Sequence, residues 1–184
     1  MKTKYILHGG YAGHPNSQND AFFSEMLKGT RDTVNVLIIF FAKEEDRIPK
    51  NRDESIAQFE RNKGSKIINY DTATEDLFLK QVEWADVIYI HGGTTLKLLE
   101  ALRKFKDLSN LFEKKTIGGE SAGAYVLSSH FHSEKAGGMF EGLGLVPVST
   151  ICHYTDARKD FVKDFPVEQE ILLLPDYTYR VFED

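Results

Sequence analysis

Apolar, β-branched residues fall in short runs, and between the runs apolar residues recur every third or fourth position, so strand patterning alternates with helix patterning along the chain. Strands are predicted at about Lys4–His8, Val34–Phe40, Lys66–Tyr70, Asp86–Ile90 and Lys115–Gly118. Helices are predicted between them. Phe22, Met26 and Leu27 follow an Asn19-Asp20 cap, Ile56 and Phe59 lie on a second helix, and Leu96, Leu99 and Leu102 line a third. This alternation predicts an α/β fold, a doubly wound and mostly parallel sheet with helices on both faces. The charge-rich run Lys43–Arg61 reads as a loop and a solvated helix face. Beyond Gly137 the pattern changes: Gly137, Gly138, Gly142 and Gly144 precede apolar pieces at Leu143–Val148 and Thr150–Cys152. A helix near Ala157–Phe165 and strands at Glu170–Leu174 and Tyr179–Phe182 then close a less regular last third.

Neither an internal repeat nor a linker-like tract interrupts the pattern, and 184 residues suit one domain, 1–184. A domain of this size buries about 70% of the surface its unfolded chain exposes, so it requires neither disulfide nor structural metal. A net charge of -5 and a pI near 5.7 argue against nucleic acid as a partner. The longest apolar run, Val36–Ala42, is too short to span a membrane, and Tyr5-Ile6-Leu7 is too short for the core of a secretion signal. One cysteine, Cys152, allows no internal disulfide, in keeping with a reducing cytoplasm. The expectation is a cytoplasmic protein without a membrane partner.

Chemistry enters at Gly119-Glu120-Ser121-Ala122-Gly123, which fits the G-x-S-x-G nucleophile elbow. Such a pentapeptide arises by chance in about one chain of this length in twenty. Its setting strengthens it, because Lys115–Gly118 reads as a strand and Ala122–Ser129 as a helix, the turn that the elbow needs. A serine hydroxyl needs a base. Of six histidines, His153 ranks first, being downstream of the serine after a strand-like piece, and His91 second, at a strand end. His8 also ends a strand, and His14 has no supporting pattern.

The stretch Asp86-Val-Ile-Tyr-Ile-His91-Gly92-Gly93-Thr94-Thr95-Leu96, the elbow running into Ala124, and Gly142-Leu-Gly-Leu-Val-Pro147 leading to Ile151-Cys-His153-Tyr154 together resemble the dipeptidase E and cyanophycinase family of serine peptidases. The resemblance implies a class I glutamine amidotransferase-like fold, a flavodoxin-like three-layer sandwich. It implies Ser121 as nucleophile, His153 as general base, and the N–H groups of Gly93 and Ala122 as the oxyanion hole. It implies hydrolysis of short peptides, with Asp-X dipeptides as the substrate class, and no cofactor. The family's triad acid lies between serine and histidine, where simple alignment reaches Ala136. Glu134 is the nearest acidic candidate and Asp156 the alternative. Arg158, just past His153, is a candidate to meet a substrate carboxylate, with a surface arginine as the plainer reading. The chain also looks short beside that family.

Other constellations carry less. His130, His132 and Glu134 would share one face of an extended segment and so form a candidate zinc site, with a polar loop as the plainer reading. Cys152 and His153 are neighbours whose side chains would point to opposite faces of a strand, which argues against a cysteine dyad. The segment His8-Gly9-Gly10-Tyr11-Ala12-Gly13 lacks the first glycine of a dinucleotide fingerprint. A non-catalytic or small-molecule-binding protein of the same fold is the competing reading, and the triad acid is what separates the two.

Overall fold

A computed structural model describes residues 2–183. The strands β1 (Lys4–His8), β2 (Thr33–Ile39), β3 (Ile67–Thr72), β4 (Val87–Ile90) and β5 (Thr116–Glu120) form a parallel sheet. The final strand, Tyr179–Glu183, adds antiparallel to the free edge of β1. With that strand counted as β10, the order is β10-β1-β5-β4-β2-β3.

Period-two patterning sorts the sheet's side chains onto two cores. Ile6, Val34, Val36, Ile38, Val87 and Tyr89 point to one side, where helices α1 (Ser17–Leu27) and α2 (Ile48–Asn62) bring Phe22, Phe23, Met26 and Phe59. Tyr5, Leu7, Leu37, Ile39, Ile88 and Ile90 point to the other. That face is covered by α3 (Phe78–Trp84), α4 (Thr95–Arg103), the short α5 (Leu108–Leu111) and α6 (Ala122–Leu127). This is the expected sheet with helices on both faces. On the first side Phe22, Phe23, Phe59 and Tyr89 pack edge to face, with ring centroids 4.9 to 5.6 Å apart along Phe59–Phe23–Tyr89.

The differences from the sequence reading have local causes. Helix α1 begins earlier because Asn16 is its cap, accepting the N–H of Gln18 and of Asn19 at 3.0 Å each, while Asn19 turns inward. On α4, Leu98 takes the buried face and Leu96 stays exposed, because the helix starts at Thr95 and turns Thr95, Leu98, Leu99 and Leu102 toward the core. The helix after the elbow stops at Leu127, and Ser128 opens another strand.

A second sheet was not anticipated. Strands β6 (Ser128–Ser133), β7 (Gly138–Glu141), β8 (Val146–Cys152) and β9 (Glu170–Leu174) pair in the order β7-β6-β8-β9. The two apolar pieces expected at Leu143–Val148 and Thr150–Cys152 are largely one strand. Ser149 and Thr150 lie fully buried within it because their hydroxyls are bonded, Ser149 Oγ to Gln169 Oε1 at 2.8 Å and Thr150 Oγ1 to Ser128 Oγ at 2.7 Å. Phe131, Val146, Val148, Cys152, Leu172 and Leu174 carry this sheet into the same core as α6. The segment Asp156–Asp164 is a 3-10 helix. No helix among the described residues is long and apolar enough to cross a membrane.

Candidate active site

Strand β5 runs into α6 through one residue, Ser121, at φ 50° and ψ -103°. A side chain in that region is strained, and the turn holds it because Ser121 N donates to His8 O at 2.9 Å while Ser121 O accepts from Tyr125 N at 2.9 Å. The helix packs close behind: a methyl at Gly123 would stand 2.3 Å from Ile90 O, so only glycine fits there. The hydroxyl is thus presented beyond the carboxyl ends of the parallel strands, the usual place for a site in such sheets.

The residue that meets it is His153, at the end of β8. Ser121 Oγ lies 2.9 Å from His153 Nε2, and His153 Nδ1 lies 2.6 Å from Asp176 Oδ1. Asp176 belongs to the connection between β9 and β10. This connection is tied to the β1–α1 loop by Tyr177 N to Gly10 O at 3.1 Å and Gly9 N to Thr178 O at 2.9 Å. His153 N in turn donates to Gly9 O at 3.1 Å. Hydroxyl, imidazole and carboxylate therefore come from three strand ends drawn together around one glycine loop.

Glu134, the acid expected from sequence, is not at the imidazole. It is exposed and pairs with Arg158 Nη2 at 3.1 Å, while Arg158 Nη1 donates to Cys152 O at 2.8 Å. Asp156 opens the 3-10 helix as an exposed residue. Asp176 is not apparent between serine and histidine because it follows the histidine, in the connection that leaves the second sheet after β9. The available signal was an acidic residue two positions past the strand-like Glu170–Leu174, near a strand end as His153 is.

His91 does not approach Ser121 by any hydrogen bond. It is buried, with Nδ1 3.4 Å from Glu120 Oε2, and burial pushes its pKa down. His8 is buried too, its Nε2 3.0 Å from Asn19 Oδ1 and its Nδ1 accepting from Gly10 N at 3.1 Å, and burial likewise lowers its pKa. Glu120, immediately before the serine, accepts Ala12 N at 3.0 Å, Tyr89 Oη at 3.1 Å and Gly92 N at 3.4 Å. Burial opposes its ionisation, but the facing imidazoles and these N–H groups hold the carboxyl below its usual value. Glu120 thereby ties the β1–α1 loop and the Gly92-Gly93 loop to the elbow, a role that the sequence reading did not assign.

Gly93 is exposed at the end of that loop, beside Thr94, whose N donates to Ala42 O at 2.9 Å. Ala122 N is the first N–H of α6 and has no carbonyl a turn earlier in the helix to bond. Cys152 is buried with its thiol pKa pushed well up by desolvation, so it stays protonated and inert beside His153. No group of three or more metal-ligating side chains occurs among the described residues, and His130 and His132 bond instead to Gln169 and Asp164.

A serine hydroxyl on a strand–helix elbow, joined to an imidazole that a carboxylate holds from behind, on a mostly parallel sheet, defines the α/β serine hydrolases as a class. Within that class the chain belongs to peptidase family S51, the dipeptidase E family of serine peptidases, whose model matches residues 8–179. Among curated proteins none matches. Two solved structures share the fold. One is a peptidase from an acI-B1 Actinobacterium, 22% identical with a TM-score of 0.73 over 99% of this chain and 84% of that one. The other is a putative peptidase E protein from Listeria monocytogenes EGD-e, 19% identical with a TM-score of 0.64 over 100% of this chain and 98% of that one.

Proposed function

We propose that this serine peptidase cleaves short peptides through an acyl-enzyme on Ser121. His153 Nε2 takes the hydroxyl proton as Oγ attacks the scissile carbonyl carbon. The carbonyl oxygen, now an oxyanion, is met by the N–H groups of Gly93 and Ala122. His153 then gives the proton to the leaving amine, and the C–N bond breaks. A water deprotonated by the same imidazole releases the acyl group and restores Ser121. Asp176 fixes the ring so that Nδ1 carries its proton and Nε2 faces the serine. The observation that carries this reading is the continuous Ser121–His153–Asp176 chain, at 2.9 and 2.6 Å.

Dipeptides of the Asp-X type are the proposed substrates, in line with family membership. Arg158 supports an acidic substrate: one nitrogen anchors at Cys152 O, and the other holds an exposed glutamate that a substrate carboxylate can replace. The test is hydrolysis of an Asp-X panel by wild type and Ser121→Ala, beside fluorophosphonate labelling of Ser121. Labelling and turnover that both vanish in the variant are the expected result. A folded wild type that neither labels nor hydrolyses would return the protein to the non-catalytic reading.

A further inference from the structure

Six non-glycine residues among those described have positive φ, and four of them cluster at one imidazole: His153 itself at 52°, Ser121 at 50°, Tyr11 at 60°, and Tyr177, next to Asp176, at 67°. The elbow accounts for Ser121, and the turn at the end of β8 for His153. Nothing in the hydrolytic chain accounts for the tyrosines. A bulky side chain in the left-handed region costs free energy that glycine or asparagine would avoid, and such residues persist where their surroundings force the backbone.

The surroundings here are specific. Tyr11 O accepts Asn19 Nδ2 at 2.8 Å and His14 N at 3.1 Å, the next residue's N–H is bonded to Glu120, and Tyr177 N is bonded to Gly10 O. So held, the Tyr11 ring stands edge-on to His153 at 5.4 Å and lies 6.0 Å from the ring of Tyr177. The Tyr11 side chain is nevertheless 48% exposed, and among the described residues neither phenol hydroxyl has a protein hydrogen-bond partner. The Tyr11 ring, which also meets the ring of His14 at 5.5 Å, and the half-buried Tyr177 ring thus line one side of the site with part of their surface exposed.

We propose that Tyr11 and Tyr177 form the subsite for the residue released with the leaving amine, and that it takes an aromatic side chain. The inference rests on the reading of His153 as the group that protonates that amine, since whatever lies beyond the imidazole then meets the departing residue. Flat, rigid walls of this kind favour a ring that can stack offset or edge-on at about 4.5 to 7 Å.

The experiment measures kcat/KM for dipeptides that share one acyl residue, Asp, and end in Phe, Tyr or Gly, with fluorophosphonate labelling of Ser121 run on every variant. The probe carries no leaving residue, so its reaction reports the nucleophile alone. Wild type prefers Phe and Tyr over Gly. In Tyr11→Ala that ratio falls about tenfold, and Tyr177→Ala on the other loop lowers it in the same direction. Tyr11→Phe keeps the ratio within about twofold of wild type, because the ring remains. A wild type that labels but cleaves the aromatic dipeptides no faster than the glycine one overturns the subsite and leaves Ser121 as nucleophile. A ratio unchanged in both alanine variants does the same. Failure of the wild type to label takes down the underlying reading and the subsite with it.

Discussion

His153 is held at both ring nitrogens, by the hydroxyl on one side and the Asp176 carboxylate on the other, so the carboxylate decides which nitrogen carries the proton. An amide cannot impose the same tautomer. Asp176→Asn is therefore expected to lower kcat by about ten-thousandfold with the fold intact, as loss of the acid does in related triads. Glu134→Gln removes only an exposed partner of Arg158, and its kcat is expected to stay within about fivefold of wild type. Steady-state kinetics on the two variants settles which carboxylate serves the imidazole; the reverse order of effects would reinstate Glu134. Ser121 and His153 were legible in the sequence because each sits in a local pattern, the elbow and the end of a strand. Asp176 was not, because its partner lies 23 residues back along the chain and they meet only through the pairing of β8 with β9.

At the scale of elements, the β1–α1 loop is the clasp of the site. Gly9 and Gly10 bond to His153, Tyr177 and Thr178 through their backbones, and Gly10 runs so near the imidazole that a methyl there would stand 2.1 Å from His153 Cε1 at a φ of 142°. Gly10→Ala must push the ring off its line with Ser121. A fall in kcat of about a hundredfold with unchanged circular dichroism is the expected outcome, the usual effect of misplacing a catalytic group by an ångström. Activity near wild type would mean that the ring has another resting place. The first sheet was readable because its strands alternate cleanly between two cores. The second was hidden, since β6 and β8 carry Ser128, His132, Ser149 and Thr150 in buried positions where apolar residues would have signalled a strand. Cross-strand hydrogen bonds satisfy the hydroxyls, and that information is tertiary.

For the molecule as a whole, the buried polar cluster behind the elbow sets the response to acid. His8 and His91 have pKa values lowered by burial from 6.5, so below about that pH the unfolded chain binds protons that the folded chain refuses. Stability is fully present above that value and is lost as pH falls toward the folded values. Glu120 adds a second loss below 4.5, because its folded pKa is also lowered. Calorimetry should show a melting temperature that is level above about pH 7 and declines toward about pH 5, with a shallower decline in His91→Gln. A flat profile over that range would mean that the imidazoles take up protons in place. The meeting of two sheets at the site also has a bearing on how the enzyme is born. Ser121 stands on the first sheet, His153 and Asp176 come from the ends of β8 and β9, and the Asp176 segment is clamped only when β10 pairs with β1. Synthesis runs from the N-terminus, so a nascent chain carries Ser121 before His153 and Asp176. The three side chains therefore come together only as the fold completes.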